Sequence, residues 1–268
     1  MSGLMWRLTG RIYLAAMVLF IVAPLAVVVA VAFSSASFVS FPPPGWSLRW
    51  LTKVLNDPSF VRPLWNSVVL GLAAALCAAA IATPAALALA RLPFRGAAEV
   101  QSFLLAPLSL PPLILSIALL FYLSRLGLAD SFAGLLIGHV VITVPYLTRT
   151  VLAVYKGANP EIEEAAYVLG AGPLRTFLHV TLPAIRPGLV AGGLFAFLIS
   201  FDEVAIALLL STTSTMTLPV AILNHVAHNY DPAVAAISLV KMTLVIAVLL
   251  LCEWLFGLDR LMLTRERR

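Results

Sequence analysis

EIEEAAYVLGAGPLRTFLHVTLPAIRPGLVAGGLFAFLISFD, running from Glu161 to Asp202, decides how this chain folds. Its first half is polar and helix-forming. Its second half, from Pro187, is apolar enough to enter a bilayer. Glu161, Glu163 and Glu164 follow Pro160. A proline costs little at a helix start, and carboxylates there complement the helix dipole. Gly170 permits a sharp break that a side chain would oppose. Pro173 is expected to restart a short helix to about His179, and Pro183 and Pro187 to end it and launch the next span. The expected product is a compact helix–turn–helix knob standing off a membrane. A helix lying flat on an anionic leaflet is usually rich in Lys and Arg on its polar face; three leading glutamates argue against that arrangement.

Composition places the rest of the chain in a bilayer. Of 268 residues, 62% are apolar and 11% charged, against about 25% charged in a soluble domain. Six apolar stretches read as membrane helices: Ile12–Phe33, Asn66–Ala90, Ser102–Ser124, Phe132–Val154, Pro187–Leu210 and Ala235–Gly257. They are too long for barrel strands, so the expected fold is all-α and integral to the membrane. Ile12–Phe33 exceeds the core of a signal peptide, about 7–15 residues, and reads as an uncleaved first span. The net charge of +5 invites a nucleic-acid reading. The basic residues sit at helix ends and form no stripe, which excludes it.

The same charges orient the chain. Arg7, Arg11, Arg91, Arg95, Arg149, Lys156, Arg175, Arg186, Arg260, Arg265, Arg267 and Arg268 fall on one side, and Arg49, Lys53, Arg62 and Arg125 on the other. The positive-inside rule puts both termini and the Glu161–Ile185 loop in the cytoplasm. Ser34–Trp65 is then the longest outer loop. It carries a proline run and a short amphipathic segment, WSLRWLTKVL, with Trp46, Trp50 and Trp65 suited to the membrane interface. Ser211–Asp231 is a second, Ser- and Thr-rich outer stretch.

The knob carries a recognisable spacing: Glu164-Ala165-Ala166, Gly170 after three residues, Val180 nine residues on, then Leu182 and Pro183. This resembles the EAA loop of the membrane subunits of ATP-binding-cassette importers, with Val180 where isoleucine is usual. The resemblance implies a type I, binding-protein-dependent importer permease fold: six transmembrane helices and a cytoplasmic coupling loop at about 159–185. Its parts would be an N-terminal helix and outer loop over 1–65, a permease domain over 66–257 and a basic cytoplasmic tail over 258–268. The implied ATPase-coupling residues are Glu164, Ala165, Ala166, Gly170, Val180, Leu182 and Pro183. The chain has no G-x-x-x-x-G-K-[ST] phosphate loop. ATP and magnesium are therefore expected on a partner, and this chain is expected to be a transport subunit that holds no cofactor and catalyses no covalent chemistry. Implied partners are a second, different permease, two nucleotide-binding ATPase subunits, an external solute-binding protein and membrane lipid, with no nucleic acid. The implied location is the bacterial inner membrane.

Asp202 and Glu203 are the acidic residues deep in an apolar stretch. In a continuous helix from Pro187, Asp202 would sit roughly 24 Å along the axis, past the middle of a core about 30 Å thick. Buried charges at that depth face a cavity or a partner. One reading lines a solute pathway with them; the other pairs them with Arg125 or Lys241. Two adjacent residues point about 100° apart on a helix, so both would not face one lumen. Ser200-Phe201-Asp202-Glu203 and Thr217-Leu218-Pro219 further resemble the second, shorter permease of spermidine/putrescine-type importers, though a Thr-rich stretch stands where Gly-Pro-Gly is common. That implies a polyamine solute. Carboxylates and aromatic faces replace water around ammonium groups, which makes Asp202, Glu203, Phe201, Tyr122 and Tyr146 the substrate-pathway candidates. Importers of opines, iron or thiamine are neighbouring possibilities. Two rivals of other classes are a proton-coupled secondary transporter and an intramembrane enzyme. No motif for either stands out.

Other residues that carry chemistry read blandly. Cys77 and Cys252 sit in separate apolar runs with no metal or redox spacing and are expected to be buried. His225 and His228 are three apart, but no third clustered ligand beyond Asp231 joins them, so no metal is expected. His139 reads as a satisfied span residue and His179 as part of the knob.

Overall fold

A computed structural model describes residues 2–92 and 94–257; the expected basic tail at 258–268 lies outside them. The described chain is helical, and its one β feature is an isolated bridge between Ser34 and Trp46. The helices are α1 (Ser2–Ala32), α2 (Arg49–Asn56), α3 (Pro58–Arg91), α4 (Ala97–Leu105), α5 (Pro112–Arg125), α6 (Phe132–Lys156) and α7 (Glu161–Val168). Then come α8 (Pro173–Thr176), α9 (Leu182–Asp202), α10 (Ala205–Leu210), α11 (Leu218–His228) and α12 (Ala233–Phe256). Among the described residues, five helices are long and apolar enough to cross a membrane, or six if one bent pair counts as a single span.

That bent pair corrects the third expected span. Ser102–Ser124 does not form one helix. It forms α4, a 3-10 turn at Ala106–Ser109, and α5, with the axis turning by 108°. The cause is local. Pro107, Pro111 and Pro112 remove three backbone donors, and a residue before proline avoids helical angles. Leu110 accordingly has φ −94° and ψ 138°.

The fifth expected span is corrected at both ends. Pro183 and Pro187 do not end one helix and start another. The helical path runs from Pro173 to Asp202, with Pro187 inside α9. A single wide turn at Phe177–Thr181 precedes it, in which the Leu182 N–H donates to the Phe177 carbonyl five residues back. A π-type turn of this kind inserts an extra residue into the ladder. At the far end the helix stops at Asp202, and Glu203 is extended, with φ −69° and ψ 125°. The acidic pair thus sits at a break, and the angular argument for a continuous helix does not apply.

The chain divides into two compact units. One takes the chain up to Val61 together with Ala221–Val245. In this unit Trp50 is buried rather than interfacial. Its indole N–H donates to the Ala36 carbonyl at 2.9 Å, with Arg49 and Lys53 over its ring. Trp46 is exposed, as is Trp65 in the other unit.

The other unit takes Arg62–Val220 and the chain from Ile246. Its core is a seam of α3, α6 and α9. Ala74, Ala78, Ala82 and Ala86 recur every fourth residue, so all four share one face of α3, and all are fully buried. Small residues let membrane helices approach closely, where packing rather than the hydrophobic effect drives association. The α6–α9 contact shows the same logic. A Cβ at Gly192 would overlap the Thr150 hydroxyl, and one at Gly188 would stand 3.0 Å from the Thr150 carbonyl oxygen. Cys77 and Cys252 are half-buried rather than enclosed.

Candidate functional site

The knob is built by its own sequence. The Asn159 side-chain oxygen accepts the Glu161 N–H at 3.0 Å, and the Pro160 carbonyl accepts from Glu163 and Glu164, which satisfies the first turn of α7. At the far end, Gly170 N–H donates to the Tyr167 carbonyl and Ala171 N–H to the Ala166 carbonyl. That pair of bonds is a Schellman closure, which requires the residue after the cap to be left-handed. Gly170 has φ +85°, and a Cβ there would meet nothing within 4 Å. Its glycine is needed for backbone conformation and not for space.

The tip is apolar and open. Val168 and Leu169 are each 87% exposed, and Tyr167 and Leu174 flank them. Glu164 and Ala165 are exposed beside this patch, as is Pro183 at the start of α9, while Ala166, Val180 and Leu182 are half-buried. His179 belongs to the wide turn, with its ring Nδ1 at 3.0 Å from the Arg175 carbonyl oxygen. With Ile162, Glu163 and Val180 it lines a cleft of about 200 Å³. The arrangement offers a partner a rigid apolar point beside an acidic edge.

Glu163 was expected to act with its neighbours as a dipole partner, but it turns inward. The Tyr155 hydroxyl donates to its carboxylate at 2.9 Å, and the Thr181 hydroxyl donates to Oε1 at 2.6 Å. Arg91 Nε lies 3.6 Å from Oε2, the guanidinium covers the Tyr155 ring at 4.4 Å, and Nη2 donates to the Ala158 carbonyl at 3.1 Å. Sequence reasoning missed Arg91, Tyr155, Glu163 and Thr181 as a set. An arginine at a helix end reads as a topology signal, and nothing in the spacing brings position 91 to position 163.

The pathway candidates scatter by role. Asp202 is exposed as the last residue of α9. Glu203 Oε1 accepts the N–H groups of Ala205 and Ile206 at 2.8 and 3.2 Å, so this carboxylate caps α10. Phe201 is 1% exposed and stacked on Phe197 with ring centroids 5.5 Å apart. Its face is spent on packing and is not presented to a solute. Tyr122 stands exposed on α5, and Tyr146 is half-buried on α6; neither shares a helix with the acidic pair. His139 is only half satisfied: Nδ1 meets Ser200 Oγ at 2.8 Å, and buried Nε2 has no hydrogen-bond partner.

His225 and His228 do not form a joint site. His225 Nε2 meets Asp231 Oδ1 at 2.8 Å, while His228 Nδ1 meets the Asn224 carbonyl oxygen. Lys53 closes on Asp231 Oδ2 at 3.1 Å, and Phe60 packs on the His225 ring. Burial raises the Asp231 pKa, but the hydrogen bonds from His225 and Lys53 outweigh it and leave the carboxyl below its ordinary value of 3.8. Among the described residues no group of three or more His, Cys, Asp or Glu could hold a metal.

Comparison with known proteins bears on these features. Residues 82–256 match the family described as the binding-protein-dependent transport system inner membrane component. The chain is 32% identical over 226 residues to the putrescine transport system permease protein PotI of Escherichia coli (strain K12), covering 82% of this chain and 80% of that one. It is 26% identical over 255 residues to the spermidine/putrescine transport system permease protein PotC of the same strain, covering 95% and 96%. In fold it is similar to a chain of a bacterial ABC transporter that imports alginate, with a TM-score of 0.76, 19% identity, and coverage of 95% and 98%.

Proposed function

The chain belongs to the family of binding-protein-dependent transport system inner membrane components, and we propose that it forms half of the transmembrane pathway of an ATP-driven importer of polyamines. The observation that carries the reading is the knob: a Schellman-closed turn at Gly170 that presents Val168 and Leu169 at an acidic edge. A rigid apolar point of this kind suits docking into a groove of a separate ATPase. ATP and magnesium would bind there and not on this chain. Both termini and the knob would face the cytoplasm, in keeping with the placement of Arg7, Arg11, Arg91 and Arg175. A second permease, two ATPase subunits and an external binding protein would complete the assembly, with the two permeases alternating between inward- and outward-open states.

The polyamine assignment has two supports. Relatives similar over most of the chain carry putrescine and spermidine in their names. The exposed carboxylate of Asp202 stands at a helix break, where solvent and solute can reach it. A carboxylate there would attract a passing ammonium group.

The test is co-purification in detergent followed by ATPase measurement with candidate binding proteins and spermidine, putrescine or an anionic control. Stimulation by polyamine with its binding protein is the expected outcome. An ATPase that co-purifies and ignores polyamines removes the solute assignment, and a folded preparation with no ATPase partner removes the importer reading.

A further inference from the structure

The unusual feature of the knob is not its tip but the root of α7. Four elements end within reach of one carboxylate. Arg91 is the last residue of α3, and Tyr155 lies next to the end of α6. Glu163 is in the first turn of α7, and Thr181 is the last residue of the wide turn that leads into α9. Glu163 accepts from Tyr155 and Thr181 and pairs with Arg91. Arg91 also holds the link between α6 and α7 through the Ala158 carbonyl.

Surface ion pairs usually contribute little because water screens them. This set is mostly enclosed. The Glu163 and Arg91 side chains are 17% and 25% exposed, and Tyr155 is 5% exposed. Hydrogen bonds to a charged group in such a setting are short and strong. They also fall where the helical ladder is weakest, since the Phe177–Thr181 turn is widened and isolated turns of that type mark functional positions. The Thr181 hydroxyl therefore ties the widened turn to α7. Arg91 Nε makes no hydrogen bond, because 3.6 Å is beyond hydrogen-bond reach.

We propose that Glu163 is a positioning residue for coupling: through Arg91, Tyr155 and Thr181 it ties the knob to the ends of α3, α6 and α9, so that a push on the knob moves those spans together. The proposal rests on the importer reading above. Glu163 itself does not touch solute or nucleotide. It determines how much of the knob's displacement reaches the membrane helices. A knob with a slack root would still dock, but its motion would be absorbed at Gly157–Pro160 and in the widened turn.

The test uses the complete transporter in proteoliposomes, with labelled spermidine and ATP as probes, and reads solute moved per ATP hydrolysed beside co-elution of the ATPase. Glu163→Gln keeps the shape and removes the charge. The expected result is co-elution as in the wild type with the transport ratio down about tenfold, the scale of one lost charge-assisted hydrogen bond. Glu163→Asp, which restores the charge, recovers part of the ratio. Tyr155→Phe removes one donor and no charge, and lowers the ratio by a smaller factor. It keeps the proposal open to refutation should the glutamine variant fail to fold. A wild-type ratio in Glu163→Gln, or in Tyr155→Phe where the glutamine variant does not fold, overturns the proposal while leaving the importer reading in place. Loss of co-elution in step with loss of transport would mean a merely structural role and also overturns it. Absence of ATP-driven uptake in the wild type overturns the importer reading and this proposal with it.

Discussion

His139 Nδ1 lies 2.8 Å from Ser200 Oγ in the buried seam between α6 and α9. Both side chains are almost wholly enclosed, and the Nε2 of His139 has no hydrogen-bond partner of its own. Ser200 is therefore the one hydrogen-bonding contact of a buried ring. Ser200→Ala is expected to destabilise the fold by about 1–3 kcal/mol, the cost of leaving a buried polar group unsatisfied. Thermal unfolding in detergent reads this directly. A melting temperature equal to that of the wild type would show that the ring finds another partner.

Gly170 gives a second prediction. Its φ of +85° is a conformation that other residues resist, while the space around it is empty. Gly170→Ala should therefore cost about 1–2 kcal/mol. The larger effect should be on coupling: Gly170→Asp, or Glu164→Lys at the neighbouring edge, is expected to leave the protein in the membrane and uncouple uptake from ATP hydrolysis. Full uptake in both variants would remove the knob from the coupling path.

The acidic pair separates into two experiments. Glu203 caps α10, so Glu203→Ala should lower stability by about 1 kcal/mol, as other lost caps do. Asp202 is exposed as the last residue of α9. Asp202→Asn should weaken uptake of a cationic solute. Unchanged transport kinetics in this variant would take Asp202 out of the pathway.

The Lys53–Asp231–His225 cluster predicts an acid dependence. Asp231 titrates below 3.8 in the folded chain, and its stabilising contribution is fully present above that ordinary value. It is lost as pH falls through the lower, folded value. Because Lys53 is 46% exposed, the contribution is at most about 1 kcal/mol. The stability difference between wild type and Asp231→Asn should hold near neutral pH and shrink below about pH 4. Asp57 also faces Lys53 and His225. The Ser59 hydroxyl and backbone N–H chiefly hold the Asp57 carboxyl below its usual value, and because the two carboxylates share Lys53 and His225, the Asp57→Asn and Asp231→Asn effects should not be strictly additive.

The sequence made the knob readable because each signal there is local: Pro160 at a helix start, glutamates in the first turn and glycine at a left-handed cap. The apolar spans were readable for the same reason, since their length alone requires helices in lipid. The breaks were not. Ser102–Ser124 reads as continuous to a hydropathy average that gives no weight to Pro107, Pro111 and Pro112. Phe177–Thr181 carries no composition cue for a widened turn. Asp202 and Glu203 read as a buried pair because a side chain capping the helix ahead of it looks the same, in one dimension, as a charge facing a lumen. Arg91 and Glu163 are 72 positions apart, and only the fold brings them together.

The most direct test of the central claim is uptake of labelled spermidine and putrescine by proteoliposomes that hold this chain with its partner permease, ATPase and binding protein. The account predicts uptake that requires ATP and this chain and survives collapse of the proton gradient. Uptake that proceeds without ATP and stops when the proton gradient is dissipated would contradict it.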